Sequence, residues 1–271
     1  MENRLIFDWY SCSVDMSPSI LRSKILSNYD MADWVIATPR NGYSHSEALM
    51  RGDRKLCQIF YGGDSQGSLV FCEATGDESE AFAAVMRSGI PHRVSRVDIA
   101  IDFDEPMAWV NLQHYGCFLA SKYRLKDKYL GASGAESLNC ADTDGRTLYV
   151  GSRSSVGFIR IYEKGKKDNP NKPDWVRFEY EFKPRGDARY MYARASKAQI
   201  LSSTKQGADA LKFLLSETTM RPCSAGAVRV EASRERTMRA LRKQYGAFIR
   251  SELEAAGGCV NTVIDEILMS A

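Results

Sequence analysis

The chain has 271 residues, 44% of them hydrophobic and 26% charged, with a net charge of +3; this is enough apolar material for one large core or two modest ones, and it excludes disorder as the main state. No run of about 18 apolar residues occurs, so no membrane-spanning helix is expected, and the opening MENRLIFDWYSC lacks the apolar stretch of a secretory signal. The seven cysteines are odd in number and never at C-x-x-C spacing, which argues against a disulfide framework or a zinc site and for reduced thiols in a cytoplasm.

Leu5–Val14 alternates as a strand, and Ser17–Tyr29 reads as a helix with Pro18 in its first turn. Residues 56–61 and 68–73 read as two strands around the Gly62–Gly67 turn. Asp77 or Ser79 is placed to cap a helix running through Met86. Ser95–Phe103 alternates strictly, and residues 107–129 carry apolar positions compatible with a helix. The small, polar stretch 131–145 reads as a surface loop. Thr147–Gly151 and Gly157–Tyr162 read as strands, Lys164–Pro173 as a basic loop, and Val176–Lys183 as a strand stopped by Pro184. From Asp187 the pattern turns helical, most clearly over 208–215, 228–249 and 262–269. No internal repeat is visible, and Pro222 reads as a joint before the helical tail. Strands first and helices last predict an α+β fold with a central, mainly antiparallel sheet flanked by helices. The expected organisation is a body over 1–185 and a helical region over 186–271 packed on it.

Three strands carry the chemistry. Side chains alternate faces with period two. One face of the first presents Arg96, Asp98, Ala100 and Asp102. One face of the second presents Phe158, Arg160 and Tyr162. One face of the third presents Arg177, Glu179, Glu181 and Lys183. The opposite faces are apolar. Acids are depleted in strands, so four of them on two strands need a reason. One reading is a solvated sheet face laced with Arg–acid pairs. The other is a carboxylate cluster for a hard divalent cation, Mg²⁺ or Mn²⁺, with Arg and Lys holding a phosphodiester. On that second reading an adjacent metal-bound phosphate, with Arg160 and Lys164, favours the phenolate of Tyr162 and makes it a nucleophile; spacing alone is weak support, since the chain has 13 tyrosines.

Charge distribution adds to this. Residues 146–197 hold 13 Lys and Arg against 6 Asp and Glu, and residues 221–250 hold 8 against 2. Two basic blocks suggest a polyanion or two solvated basic faces. Lys164, Lys166, Lys167 and Lys172 directly follow Tyr162 and are suited to backbone phosphates. Arg229, Arg236, Arg239, Arg242 and Lys243 fall on a helix that either contacts DNA or is simply solvated.

Taken in order, three blocks resemble the replication initiation factors of rolling-circle plasmids and filamentous phages, the Rep_trans type. They are Arg96-Val-Asp98-Ile-Ala100-Ile-Asp102, then Tyr149-Val-Gly151-Ser-Arg153 leading to Phe158-Ile-Arg160-Ile-Tyr162-Glu-Lys164, then Trp175-Val-Arg177-Phe-Glu179-Tyr-Glu181-Phe-Lys183. The resemblance implies a DNA nickase in which Tyr162 is the nucleophile, assisted by Arg160 and Lys164. Asp98, Asp102 and Glu179 or Glu181 would hold Mg²⁺ or Mn²⁺. The product would be a 5′-phosphotyrosine link with a free 3′-hydroxyl, later rejoined. Arg153, Lys166, Lys167, Arg177 and Lys183 are candidate DNA contacts, with Arg236, Arg239, Arg242 and Lys243. The expected partners are origin DNA in single-stranded or hairpin form, a host helicase and polymerase, and a second copy of the chain; no membrane is expected. The His-hydrophobe-His motif of many tyrosine nickases is absent, and His45, His92 and His114 read as structural or surface residues. A palm-type polymerase or primase, which needs the acids but not Tyr162, and a non-catalytic DNA-binding regulator of the same fold remain as alternatives.

Overall fold

The computed structural model describes residues 5–64, 66–131, 145–169, 171–215 and 234–269. In chain order the first elements are β1 (Ile6–Val14), α1 (Pro18–Leu26), β2 (Asp33–Ile36), β3 (His45–Arg51), β4 (Arg54–Tyr61), β5 (Val70–Thr75) and α2 (Glu78–Arg87). They are followed by β6 (Arg93–Asp104), α3 (Ala108–Tyr123), β7 (Asp127–Leu130), β8 (Thr147–Val150), β9 (Gly157–Tyr162), α4 (Lys164–Asp168) and β10 (Trp175–Phe182). Helices α5 (Ala188–Tyr192), α6 (Lys197–Leu201), α7 (Lys205–Leu215), α8 (Arg234–Ala255) and α9 (Val260–Met269) complete the described chain.

The strands form one ten-stranded sheet, β2-β3-β4-β5-β1-β6-β10-β9-β8-β7, antiparallel at every step. This is the α+β fold expected, with strands alternating an apolar and a polar face. Val97, Ile99 and Ile101 of β6 join Phe178, Tyr180 and Phe182 of β10 and Ile159 and Ile161 of β9 in a single core with α1, α2, α3, α6 and α7. Packing there is close: a Cβ at Gly116 of α3 would approach Leu148 at 2.7 Å and Ile161 at 2.9 Å. The polar face looks away from these helices.

Several local expectations need correction. The apolar positions over 107–129 do not make one helix: Arg124 takes a left-handed conformation (φ 52°) at the end of α3, and the chain returns as β7. Residues 164–168 form a short helix, not a loop. Strands β2 and β3 were not expected. The stretch 132–144 and Pro222 lie outside the described residues. Topology also repeats where the sequence shows no repeat: β1-α1-β2-β3-β4-β5 and β6-α3-β7-β8-β9-β10 each run strand, helix and a four-strand meander whose last strand pairs with the first.

The chain divides into two compact units, Met1–Ala227 and Val228–Ala271. The first holds the sheet together with α1–α7. The second is the helix pair α8 and α9, with Gly257 and Gly258 at positive φ between them. The described cysteines, Cys12, Cys57, Cys72, Cys117 and Cys259, are free thiols. No helix among the described residues is long and apolar enough to cross a membrane.

Candidate functional site

Adjacent positions of β6, β10 and β9 bring the predicted residues onto one polar face. Register sets the pairs: Arg177 lies opposite Asp102 and Tyr162, Glu179 opposite Arg160, and Glu181 opposite Asp98. The acids are not solvated as a bare sheet face would leave them. Asp98 is 1% exposed and Glu179 2%.

Two like charges directly across a ladder repel, and Asp98 with Glu181 is such a pair. Arg96 resolves it by gripping both carboxyl oxygens of Asp98 (2.9 and 2.6 Å) and reaching Glu181 at 2.9 Å. Its guanidinium also stacks on Trp9, 4.3 Å from the ring centre. Arg160 donates to Asp98 at 2.9 Å and to Glu179. Even so, negative charge is in excess around Glu179. Burial and the neighbouring Asp98 push its carboxyl up to about 8, against the opposing pull of Arg160. The Nε of Arg160 is buried without an acceptor.

Asp102 belongs to a separate group. Arg177 binds it through two bonds (2.7 and 2.6 Å) and reaches Asp8 at 2.5 Å. Asp8 is aimed there by a bulge in β1 between Phe7 and Trp9, which places Asp8 and Trp9 on the same side. Nothing in the local sequence marks that bulge, so Asp8 was missed. Arg96 was missed as well, although it stands two residues before Asp98 in the first motif.

Tyr162 closes the polar face of β9. Burial holds its hydroxyl well above the usual phenol range, reinforced by the charges of Glu179 and Asp8; Arg177 and Arg160 pull the other way and do not win. At rest the residue is a neutral phenol, and the expected phenolate depends on the metal-bound phosphate beside it. Lys164 does not contribute either. It turns into α4, bonds Asp168 at 2.6 Å and lies over Trp175.

The other candidate contacts are dispersed. Arg177, expected on DNA, is 3% exposed and committed to carboxylates. Lys183 bonds Glu181 and the Arg153 carbonyl. Arg153 is exposed beside Tyr149 and Phe158. Lys166 pairs with Glu163 at 3.2 Å, and Lys167 is exposed. Arg236, Arg239, Arg242 and Lys243 fall on α8, but their side chains lie outside the described residues. Of the histidines, His92 is buried between the Tyr10 hydroxyl (2.7 Å) and the Ile90 carbonyl (2.6 Å), and His45 stacks on Tyr61.

Among the described residues no three His, Cys, Asp or Glu side chains are spaced to enclose a metal ion. Mg²⁺ commonly takes only one or two carboxylates and completes its shell with water and substrate phosphate. Asp98 and Glu179 are all-oxygen donors that would meet that smaller demand once Arg96 and Arg160, which now hold them, give way. Asp102, held by Arg177 but with a side chain 32% exposed, is an equal candidate.

No curated protein sequence matches the chain. The rolling circle replication initiator protein from Geobacillus stearothermophilus has a similar fold, with a TM-score of 0.57 over 82% of this chain and 100% of that one at 14% identity. The model of the Rep_trans family, described as replication initiation factor, matches residues 92–268, which takes in all three strands of the site, and the chain belongs to that family.

Proposed function

We propose that the protein initiates rolling-circle replication by nicking one DNA strand at the origin with Tyr162 and later rejoining it. The observation that carries this reading is the placement of Tyr162 on the same polar face as the Asp98–Glu179 carboxyl pair, with Arg160 between them in register. The phenol oxygen of Tyr162 attacks a backbone phosphorus; the bond from phosphorus to the 3′ oxygen breaks, leaving a 5′-phosphotyrosine and a 3′-hydroxyl. The phenol proton must leave during attack, and the resting environment opposes that loss. Bound by Asp98 and Glu179, Mg²⁺ or Mn²⁺ would neutralise the charge that holds the phenol protonated and polarise the phosphodiester. Arg160, whose side chain is partly exposed, presents its guanidinium charge to the phosphate. Exposed Arg153 and Lys167, with Lys166 and Lys183 beside them, hold the flanking backbone.

The test is to incubate the protein with supercoiled DNA of its own replicon and Mg²⁺ or Mn²⁺. A nicked or relaxed product carrying covalently bound protein, absent with Tyr162→Phe, is expected. Binding without an adduct under either metal overturns the nickase reading in favour of a DNA-binding regulator, for which the arginine-saturated acids would be a purely structural lattice.

A further inference from the structure

The repeated topology supplies a comparison within the chain. Matching β1, β4 and β5 to β6, β9 and β10 sets the Gln58-Ile59-Phe60 of β4 on the Arg160-Ile161-Tyr162 of β9. The same register sets Glu73 on Glu179, because Glu73 pairs with Gln58 as Glu179 pairs with Arg160. Ile59 and Ile161 are both fully buried on the core side. Across the next ladder, Ser11, Ser13 and Trp9 fall on Ala100, Asp102 and Asp98, and Thr75 falls on Glu181.

What changed between the copies is chemical. The nucleophile position is a phenylalanine. Of the acids, Asp98, Asp102 and Glu181 have become Trp9, Ser13 and Thr75, and only Glu73 remains. It is buried and answered by Arg40, a half-exposed side chain from the β2–β3 connection that also lies over Phe60. Lys55 reaches Gln58 from the outer end of β4 at 3.2 Å. At the other end, Arg93 is paired with Ser13 across the ladder, and Arg189 bonds the hydroxyls of Ser95 and Ser13. The β6–β10 half thus sets Asp8 and four strand acids against its cations. On the matching face β4 and β5 contribute one acid, Glu73, beneath Arg40, Lys55, Arg93 and Arg189.

We infer that the β1–β5 half is a duplicated copy stripped of its chemistry, and that its polar face holds a second stretch of DNA backbone beside the stretch presented to Tyr162. The copy has lost arginines with the acids, since Gln58 stands on Arg160 and Phe71 on Arg177. Arg40, Lys55, Arg93 and Arg189 still outnumber Glu73, and such a face binds phosphate with no metal. It is continuous with the acid-bearing face through the β1–β6 ladder, and the Phe60 and Tyr162 positions are five strand spacings apart, about 24 Å. DNA laid across both halves meets a nucleophile on one side of the β1–β6 seam and, on the other, Arg40 lying over the buried Phe60 that stands in the nucleophile's place. Such an arrangement cuts one strand segment while gripping its neighbour. The inference rests on the proposed reading only in placing DNA on this face.

Anisotropy of fluorescein-labelled dT30, measured over a range of salt concentrations with the full chain, tests it. Each phosphate contact on a single strand contributes about 0.7 to the slope of log affinity against log salt. Lys55→Ala combined with Arg93→Ala is expected to lower that slope by about 1.4. Arg40→Gln, which keeps a hydrogen bond to Glu73, lowers it by about 0.7. Melting curves identify any variant that fails to fold, and the other then decides. Unchanged slopes in folded variants, or no binding of dT30 by wild type, overturn the inference. The slopes are read without any cleavage step, so a wild type that never forms the covalent adduct would sink the nickase reading and leave this result standing.

Discussion

Asp98 and Glu179 share Arg160, which donates to both carboxyls, while Arg96 adds two bonds to Asp98 alone. Burial first, and then the charge of Asp98, raise the Glu179 carboxyl to about 8 against the pull of Arg160.

This gives a pH dependence with a defined sign. The folded protein keeps a proton on Glu179 that the unfolded chain releases near pH 4.5, so between about 4.5 and 8 the native state binds more protons, and stability falls as pH rises through that window. Urea denaturation at pH 5.5 and 7.5 is expected to show a drop in wild type that is smaller in Glu179→Gln. If Glu179 is a metal ligand, the proton also competes with the ion. Mn²⁺ affinity by calorimetry should then rise with pH up to about 8, and lose most of that dependence in Glu179→Gln.

Arg160 organises the carboxyl pair through its guanidinium, so its fork geometry matters beyond its charge. Arg160→Lys keeps the charge and loses the fork. We expect covalent adduct formation to fall about 100-fold, the size of effect seen when one oriented donor is removed from a reacting phosphate or carbonyl. A rate within threefold of wild type would show that charge alone suffices.

Arg177 serves the fold. Arg177→Met leaves Asp8 and Asp102 facing each other without a cation, a loss of about 2–3 kcal/mol. Both acids are partly exposed, so the variant should fold and show a lowered urea midpoint. Adding Asp8→Asn should recover part of the loss.

Gly165 lies three residues past the nucleophile, where any Cβ would collide with the Lys172 carbonyl and crowd Trp175. Gly165→Ala is expected to cost about 1–3 kcal/mol through forced backbone movement, read by thermal melting. Adduct formation should fall with it, because α4 begins two residues after Tyr162.

Much of the site was legible because period-two alternation survives translation into structure. Asp98, Arg160, Tyr162 and Glu179 could be put on one face from spacing alone, and the ladders confirm the face. The partners of those residues were not legible. Asp8 reaches Arg177 only through a bulge, and Arg96 bridges Asp98 and Glu181 only because the register sets those two acids opposite. The burial that keeps Tyr162 protonated at rest was not legible either, because the adjacent cations are visible in sequence while the burial that outweighs them is not. The duplication left almost no trace: a strand tolerates any residue that suits its face, so Gln58 can stand for Arg160 and Trp9 for Asp98 without altering the fold.

A sheet ten strands wide has to end somewhere, and here both ends are brief. β2 and β7 have four residues each. A rim that short presents too few unpaired amide and carbonyl groups to template a further strand, even though Ile36 stands exposed on it. The molecule can therefore carry a sheet this wide without inviting it to grow into fibres.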